Sequence, residues 1–330
     1  MKIKLISSIV ITTLFIQNAI ANTTCTIIKN KSKNRVKISN CHDSDKHVKL
    51  LSKLNKHHIQ KLYISNSNLD NIIWDQVSIP QISMQHSNFT NAHINQSNMP
   101  NINLDYTGFI NSNFYNSNLS YAFLNHSHIK KSHFKNIKLD KSKLKYAKLN
   151  NNYFRNVSFL ETNINHSSLN NSQFINIDFY NSNINHSDFS FAILHNSKLN
   201  DTILHKTYLN NSNIKNSSFN HSNIHHSFFN EATIKKSSFK KSKILHSSFN
   251  KSTLENVSFN KASLNGVNFN GATINDVTFH NANICNTSFK NVNSHELIQE
   301  LKYASKLCNV TMPNGVLKIR DCNKYVKCVW

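Results

Sequence analysis

From Ile64 to Phe289 every fifth residue is Ile, Leu, Phe, Met or Trp, through 46 positions without an exception. With 38% of the chain apolar, random order would produce such a run with a probability on the order of 10⁻¹⁹. The residue two places before each of these centres is small or β-branched almost throughout, as at Ser67, Ile72, Val77, Ala92, Ser112, Ala282 and Thr287. Only Leu62 and Asn152 depart. The other three places of each five hold Asn, Ser, His, Lys and occasional aromatics. A period of five fits neither the 3.6 of a helix nor the 2 of a strand. It suits a chain that turns a corner every five residues, with two side chains inward and three facing water.

Units such as Ala92-His93-Ile94-Asn95-Gln96, Ser182-Asn183-Ile184-Asn185-His186 and Ala262-Ser263-Leu264-Asn265-Gly266 resemble those of the pentapeptide-repeat proteins. The resemblance covers 230 residues in one register. It implies an all-β fold, a right-handed quadrilateral parallel β-helix with about 20 residues per coil and hence about 11.5 coils, stacked at the ~4.8 Å strand spacing. Both ends of such a solenoid need covering, because open strand edges template aggregation. The implied organisation is a signal peptide at 1–21, an N-terminal cap at 22–61, the repeat β-helix at 62–293 and a C-terminal cap at 294–330. In the last cap a helix is expected from Ser294 to Leu307, with Ser294 as N-cap and Glu296 in its first turn. The Thr311-Met312-Pro313-Asn314-Gly315 segment resembles a tail found in some members of the family.

The start of the chain reads as an export signal. Lys2 and Lys4 precede an apolar run from Leu5 to Ile16, and Ala19-Ile20-Ala21 offers a cleavage site. That run is too short to span a bilayer, and no later one approaches the roughly 20 residues required. All six cysteines, Cys25, Cys41, Cys285, Cys308, Cys322 and Cys328, follow this segment. An even number in an exported chain points to disulfides, although sequence alone allows 15 pairings. Cys25 with Cys41 and Cys308 with Cys322 each flank a hairpin-like stretch, and local pairing leaves Cys285 with Cys328. A zinc site is the competing reading, but no CxxC pair is present. Periplasm, cell envelope or the exterior is the expected location.

Reading residues 20 apart as columns adds detail. Phe219, Phe239, Phe259 and Phe279 fall on one side of a four-sided coil, and Phe229, Phe249, Phe269 and Phe289 on the opposite one. These are core positions and imply no cofactor. An outward column runs through His86, Tyr106, His126, Tyr146, His166, His186, Lys206, His226 and His246. Its neighbours His166 with His186, and His226 with His246, are spaced to share a metal or to sense pH. The plainer reading is that imidazoles stack well on a ladder, so no metal site is assigned. Asn116, Asn136, Asn156, Asn176, Asn196 and Asn216 form a similar column, for which turn geometry and ladder hydrogen bonds suffice.

The formal charge is +22, from 38 Lys and Arg against 16 Asp and Glu. That exceeds the magnitude of about 2–8 that keeps a small domain soluble. Lys130, Lys131, Lys135, Lys138, Lys141, Lys143, Lys145 and Lys148 stand against the single acid Asp140, and are the candidate anion-binding residues. A second group is Lys235, Lys236, Lys240, Lys241 and Lys243.

A filled, regular solenoid offers no concave pocket with convergent groups of shifted pKa, so no catalytic residue, no cofactor and no small-molecule substrate is expected. The family includes acidic, cytoplasmic DNA mimics that protect topoisomerases. Here the charge has the opposite sign and the export signal removes the chain from that target. What remains is a non-enzymatic exported scaffold or binding protein. Its partner is an anionic envelope polymer, a lipid surface or, in the alternative, another protein recognised along a flat face.

Overall fold

The computed structural model describes residues 26–30, 33–41, 59–320 and 322. The chain forms two compact units, residues 1–148 and 149–330. Both are built in the same way: short strands and isolated bridges pair in parallel with partners 20 residues away. This is the expected β-helix, with four five-residue sides to each coil.

In the first unit, β1 (Thr26–Asn30) and β2 (Arg35–Ser39) form an antiparallel hairpin. β2 then pairs in parallel with β3 (Lys61–Ser65), which starts the ladder by pairing with Gln81–Ser83. Cys41 is disulfide-bonded. Its expected partner Cys25 lies outside the described residues, as does the whole signal segment. One side of the coils stacks Ile73–Asp75, His93–Asn95, Asn113–Tyr115 and His133–Lys138. Another stacks Asn88–Thr90, Gly108–Ile110 and His128–Lys130.

In the second unit, opposite sides carry three-residue strands centred on Leu194, Ile214, Ile234, Leu254 and Ile274, and on Leu204, Ile224, Ile244, Leu264 and Ile284. From Phe219 onward the remaining two sides are centred on phenylalanines and pair through single bridges such as Ser218↔Ser238 and Ser248↔Asn268. After each of these Phe centres the chain closes a tight turn, as when the N–H of Ser222 donates to the carbonyl of Phe219 at 3.3 Å. From Ile214 to Phe289 the aliphatic centres lie on the strand sides and the Phe centres on the turned ones, whereas earlier Phe114 and Phe134 centre strands and Leu104 and Leu119 precede turns. The Phe columns fall where the sequence places them. Phe219, Phe239 and Phe259 stack at 4.7 and 5.1 Å, and Phe229, Phe249 and Phe269 at 4.6 and 5.1 Å. The two columns meet edge to face across the core, with Phe239 and Phe249 at 5.9 Å and 86°, an arrangement that aromatic quadrupoles favour.

Two devices close the coils. The first is a serine ladder at the small inward position. The N–H of Ser197 donates to the hydroxyl of Ser217 at 3.1 Å, and the N–H of Ser217 to that of Ser237 at 3.1 Å. Each hydroxyl donates onward to a carbonyl, Ser217 to Leu194 at 3.1 Å. Buried amides that no strand pairs are satisfied in this way. The second lies two residues after each centre. Of the 46 positions from Asn66 to Asn291, all but Gln81 have positive φ. Only two of them are glycine, Gly266 and Gly271; the rest are occupied chiefly by Asn, His, Lys and Tyr. Asn and glycine suit this left-handed region, whereas other residues enter it at a cost.

The C-terminal end departs from expectation. Helix forms only over Leu297–Glu300, followed by one 3₁₀ turn over Leu301–Tyr303. Ser294 does accept from the N–H groups of Glu296 and Leu297, at 3.3 and 3.1 Å. The expected continuation to Leu307 is instead strand: Lys306–Thr311 lies parallel to Asn283–Cys285, setting Leu307 on Ile284. The edge strand gains hydrogen-bonding partners from this, and buried Leu307 extends the aliphatic column. Leu317–Arg320 returns antiparallel through a turn in which Gly315 has φ 82°. Cys308 and Cys322 are joined by a disulfide. Cys285 is also disulfide-bonded; its expected partner Cys328 lies outside the described residues.

Candidate anion-binding belt and histidine cluster

All eight lysines of the candidate site are exposed. The ladder register fixes the side of the coil each belongs to. Lys130 lies beside Ile110 and Lys148 beside His128, on the side centred on Ile129. Lys135 lies beside Tyr115, Lys138 beside Asn118 and Lys143 beside Phe123. Lys131 and Lys141 occupy corners, with φ of 54° and 58°. The group is therefore a belt around one coil, with no more than three lysines to a side. Where it turns past Leu139 and Leu144 the lysines lie on aromatic rings: Lys141 Nζ is 5.8 Å from the Tyr121 centroid, Lys143 Nζ 5.0 Å from Phe123, and Lys145 Nζ 5.1 Å from Tyr146. Each contact contributes about 0.5–1 kcal/mol at an exposed site and leaves the ammonium facing water.

The second lysine group differs. Lys235 Nζ is 2.6 Å from a carboxylate oxygen of Glu255. That hydrogen bond, with the charge of Lys235, holds the Glu255 carboxyl below its usual value. Part of this group's charge is thus answered within the chain. Among the described residues no ion pair reaches Lys130, Lys131, Lys135, Lys138, Lys143, Lys145 or Lys148.

The outward aromatic column is a stack in both units. In the first, His86–Tyr106, Tyr106–His126 and His126–Tyr146 have centroids 4.8, 4.7 and 5.0 Å apart. In the second, His166 and His186 stack at 4.5 Å, and His226 and His246 at 5.3 Å. His246 continues toward Gly266, where a Cβ would come within 2.5 Å of its Nδ1. Next to this column stands a row that sequence reasoning missed. His205 and His225 pair in the ladder 5.1 Å apart, and His225 lies 4.3 Å from His226. The available signal was their separation of 20, one residue before Lys206 and His226. His186, His205 and His225 have lowered pKa values, first through desolvation and then through the charges of neighbouring imidazoles, with Lys206 adding to the effect at His186 and His205.

Residues 72–149 and 212–289 match the family model described as pentapeptide repeat region, and residues 163–201 and 172–211 match pentapeptide repeats (8 copies). Together they cover more than half of the sequence. The chain belongs to the pentapeptide-repeat family. No curated protein sequence matches it. Among solved structures it is similar to HetL, a pentapeptide-repeat protein involved in heterocyst differentiation regulation from the cyanobacterium Nostoc sp. strain PCC 7120. Identity is 16% over 84% of this chain and 100% of that one, with a TM-score of 0.33. QnrB1, a plasmid-mediated fluoroquinolone resistance protein, is 13% identical over 66% of this chain and 99% of its own, with a TM-score of 0.30. A pentapeptide-repeat protein of the Arabidopsis thaliana thylakoid lumen is 16% identical over 36% of this chain and 83% of its own, with a TM-score of 0.21. The likenesses to these structures carry no argument about activity.

In this pentapeptide-repeat chain the polar and charged side chains of the belt and of the histidine row stand on the outside of the coils. The interior positions are filled by packed side chains. A shallow, open groove is lined by His93, Asn95, Tyr115, Asn116 and Lys135, and it shares a lysine with the belt.

Proposed function

We propose that this chain is a non-enzymatic, exported scaffold that holds an anionic polymer or surface by charge through its lysine belt. The observation that carries this reading is the contrast between the two lysine groups: Lys235 is neutralised by Glu255, while seven lysines of the belt meet no carboxylate among the described residues. Lysine is a compact point charge that suits phosphate or sulfate without demanding bidentate geometry. Its placement around a coil favours a flexible polymer that can wrap over one made to lie flat. Export is supported by the signal-like start and by cysteines held in disulfides, which persist in oxidising compartments.

Retention of the mature protein on heparin and on anionic vesicles tests the reading, over a salt series. Binding should fall steeply as salt rises. Reversal of Lys135, Lys138, Lys141 and Lys145 to Glu should abolish it with little change in melting temperature. Full retention by the reversed variant would overturn the belt.

A second reading, recognition of another protein, is favoured by one observation. Val316, just before the strand Leu317–Arg320, and Leu317 and Ile319 within it are 59%, 51% and 64% exposed. Binding of that kind should survive salt that screens the belt.

A further inference from the structure

The imidazoles of the second unit are packed more densely on one corner than stacking along a single column requires. His205, His225 and His226 have centroids 5.1, 4.3 and 5.8 Å apart. His246 adds a fourth ring, 5.3 Å from His226 and 6.0 Å from His225.

These separations can be compared with what a metal needs. An imidazole nitrogen sits about 2.0–2.1 Å from a bound zinc ion. Its ring centroid is then about 3.2 Å from the ion, so two imidazoles on one ion have centroids about 4.5 Å apart at a right angle and about 5.2 Å apart at the tetrahedral angle. The observed separations bracket those values. We propose that His205, His225 and His226, with His246 at the margin, form a binding site for one divalent transition-metal ion of the copper, nickel and zinc class.

The backbone under the site is fixed by the ladder. The N–H of Lys206 donates to the carbonyl of His225 at 2.9 Å, and that of His226 to Leu245 at 2.9 Å. His205 and His225 are register partners on adjacent coils, and the N–H of His205 donates to the side chain of Asn185 at 2.8 Å. As the rings stand, no three donors among the described residues converge on one point. Convergence requires rotation about the side-chain torsions of half-buried or exposed rings, which leaves the coil unchanged. Lys206 stands in the corner column between His186 and His226. It brings the only ammonium in that row, on a flexible stem that can swing away from a bound cation. Imidazole suits this metal class, and the Irving–Williams order places copper(II) first among the divalent ions.

The experiment uses the untagged protein with Cu²⁺ alone and with Zn²⁺ alone, followed by calorimetry and, for copper, electron paramagnetic resonance. One equivalent should bind more tightly than the rest, Cu²⁺ above Zn²⁺, with three imidazole nitrogens on the copper. His205→Asn with His225→Asn should weaken that equivalent on the order of 100-fold or more, beyond the effect typical of outer-shell changes. His226→Asn should weaken it as well, since Asn accepts the corner backbone and keeps the fold. The paired control, His93→Asn with His195→Asn, should leave it unchanged. The metal-free melting temperature of each variant checks that the coils remain intact. Two results would overturn the site: the His205 and His225 double variant binding Cu²⁺ like the parent, or a tight equivalent with fewer than three imidazole nitrogens.

Discussion

The amide of Ser197 is bound by the hydroxyl of Ser217, 20 residues further along the chain, at 3.1 Å. The single proton of that hydroxyl is shared between the carbonyls of Leu194 and Lys215, at 3.1 and 3.0 Å. A small inward residue therefore does more than leave room for its neighbours. Ser217→Ala keeps the volume but strands a buried N–H, and should lower stability by about 1–3 kcal/mol. Urea midpoints of this variant and of Lys215→Ala check it. The lysine is exposed, and its loss should change little. Equal midpoints would refute the ladder's role.

This ladder marks the limit of what the sequence discloses. The centres at Ile214, Phe219 and Phe229 were legible because burial of an apolar residue at each fifth place leaves a periodic trace. The serines were legible only as small, because a hydroxyl that satisfies an amide 20 residues away has no signature in local composition. For the candidate site the balance is similar. The lysines from Lys130 to Lys148 are evident as a charge run, but their distribution over four sides needs the register. His205 and His225 stand one residue before a corner, outside the corner columns, and only the ladder pairing brings them beside His226. The helix expected to reach Leu307 failed for a related reason: a free strand edge at Asn283–Cys285 outbids local helix propensity, and propensity cannot see that edge.

Phe249 stacks between Phe229 and Phe269, at 4.6 and 5.1 Å, and meets Phe239 and Phe259 edge-on at 5.9 Å. Phe249→Ala leaves a hole that rings held by the ladder on both sides cannot fill, and should cost about 3–5 kcal/mol. Asn250→Ala, partly exposed at the next position, should cost far less. Thermal melts of the two variants should separate clearly. Similar shifts would mean that the register is wrong.

The disulfide between Cys308 and Cys322 closes a loop of sequence separation 14. Closing a loop of that size restricts the unfolded chain by about 3 kcal/mol. Replacing both cysteines with Ser should loosen the terminal hairpin before the coils. Hydrogen exchange should then show lost protection at Val310 and Lys318 while Phe219 and Phe239 remain protected. Uniform loss across all four positions would show that the hairpin does not open separately.

Glu255 should titrate below the usual Glu range, because the hydrogen bond and charge from Lys235 favour its ionised form. The folded-state pKa is depressed, so its contribution to stability is present above the unfolded value of about 4.5. That contribution is lost as pH falls below it toward the folded pKa. Carboxyl NMR titration of the parent and of Lys235→Met checks the assignment. The variant's Glu255 should return toward the unperturbed value, and an unmoved midpoint would rule Lys235 out as the cause.

The left-handed corners restrict which residues can appear on the outside. Across the 46 positions from Asn66 to Asn291 there is no Val, Ile, Thr, Ala, Ser, Leu or Pro, although Ile and Ser are frequent elsewhere in the chain. β-Branched residues are poorly suited to this backbone, and the vocabulary that remains is Asn, His, Lys, Tyr, Gln, Asp, Glu, Phe and Gly. Those residues differ mainly in charge, proton affinity and ring character. Drift at a corner therefore exchanges one recognition chemistry for another while the coil beneath keeps its shape. A neutral asparagine column and a stack of imidazoles are two outcomes of the same steric filter, Lys131 and Lys141 are where the lysine belt meets it, and each coil can acquire its own without changing the core.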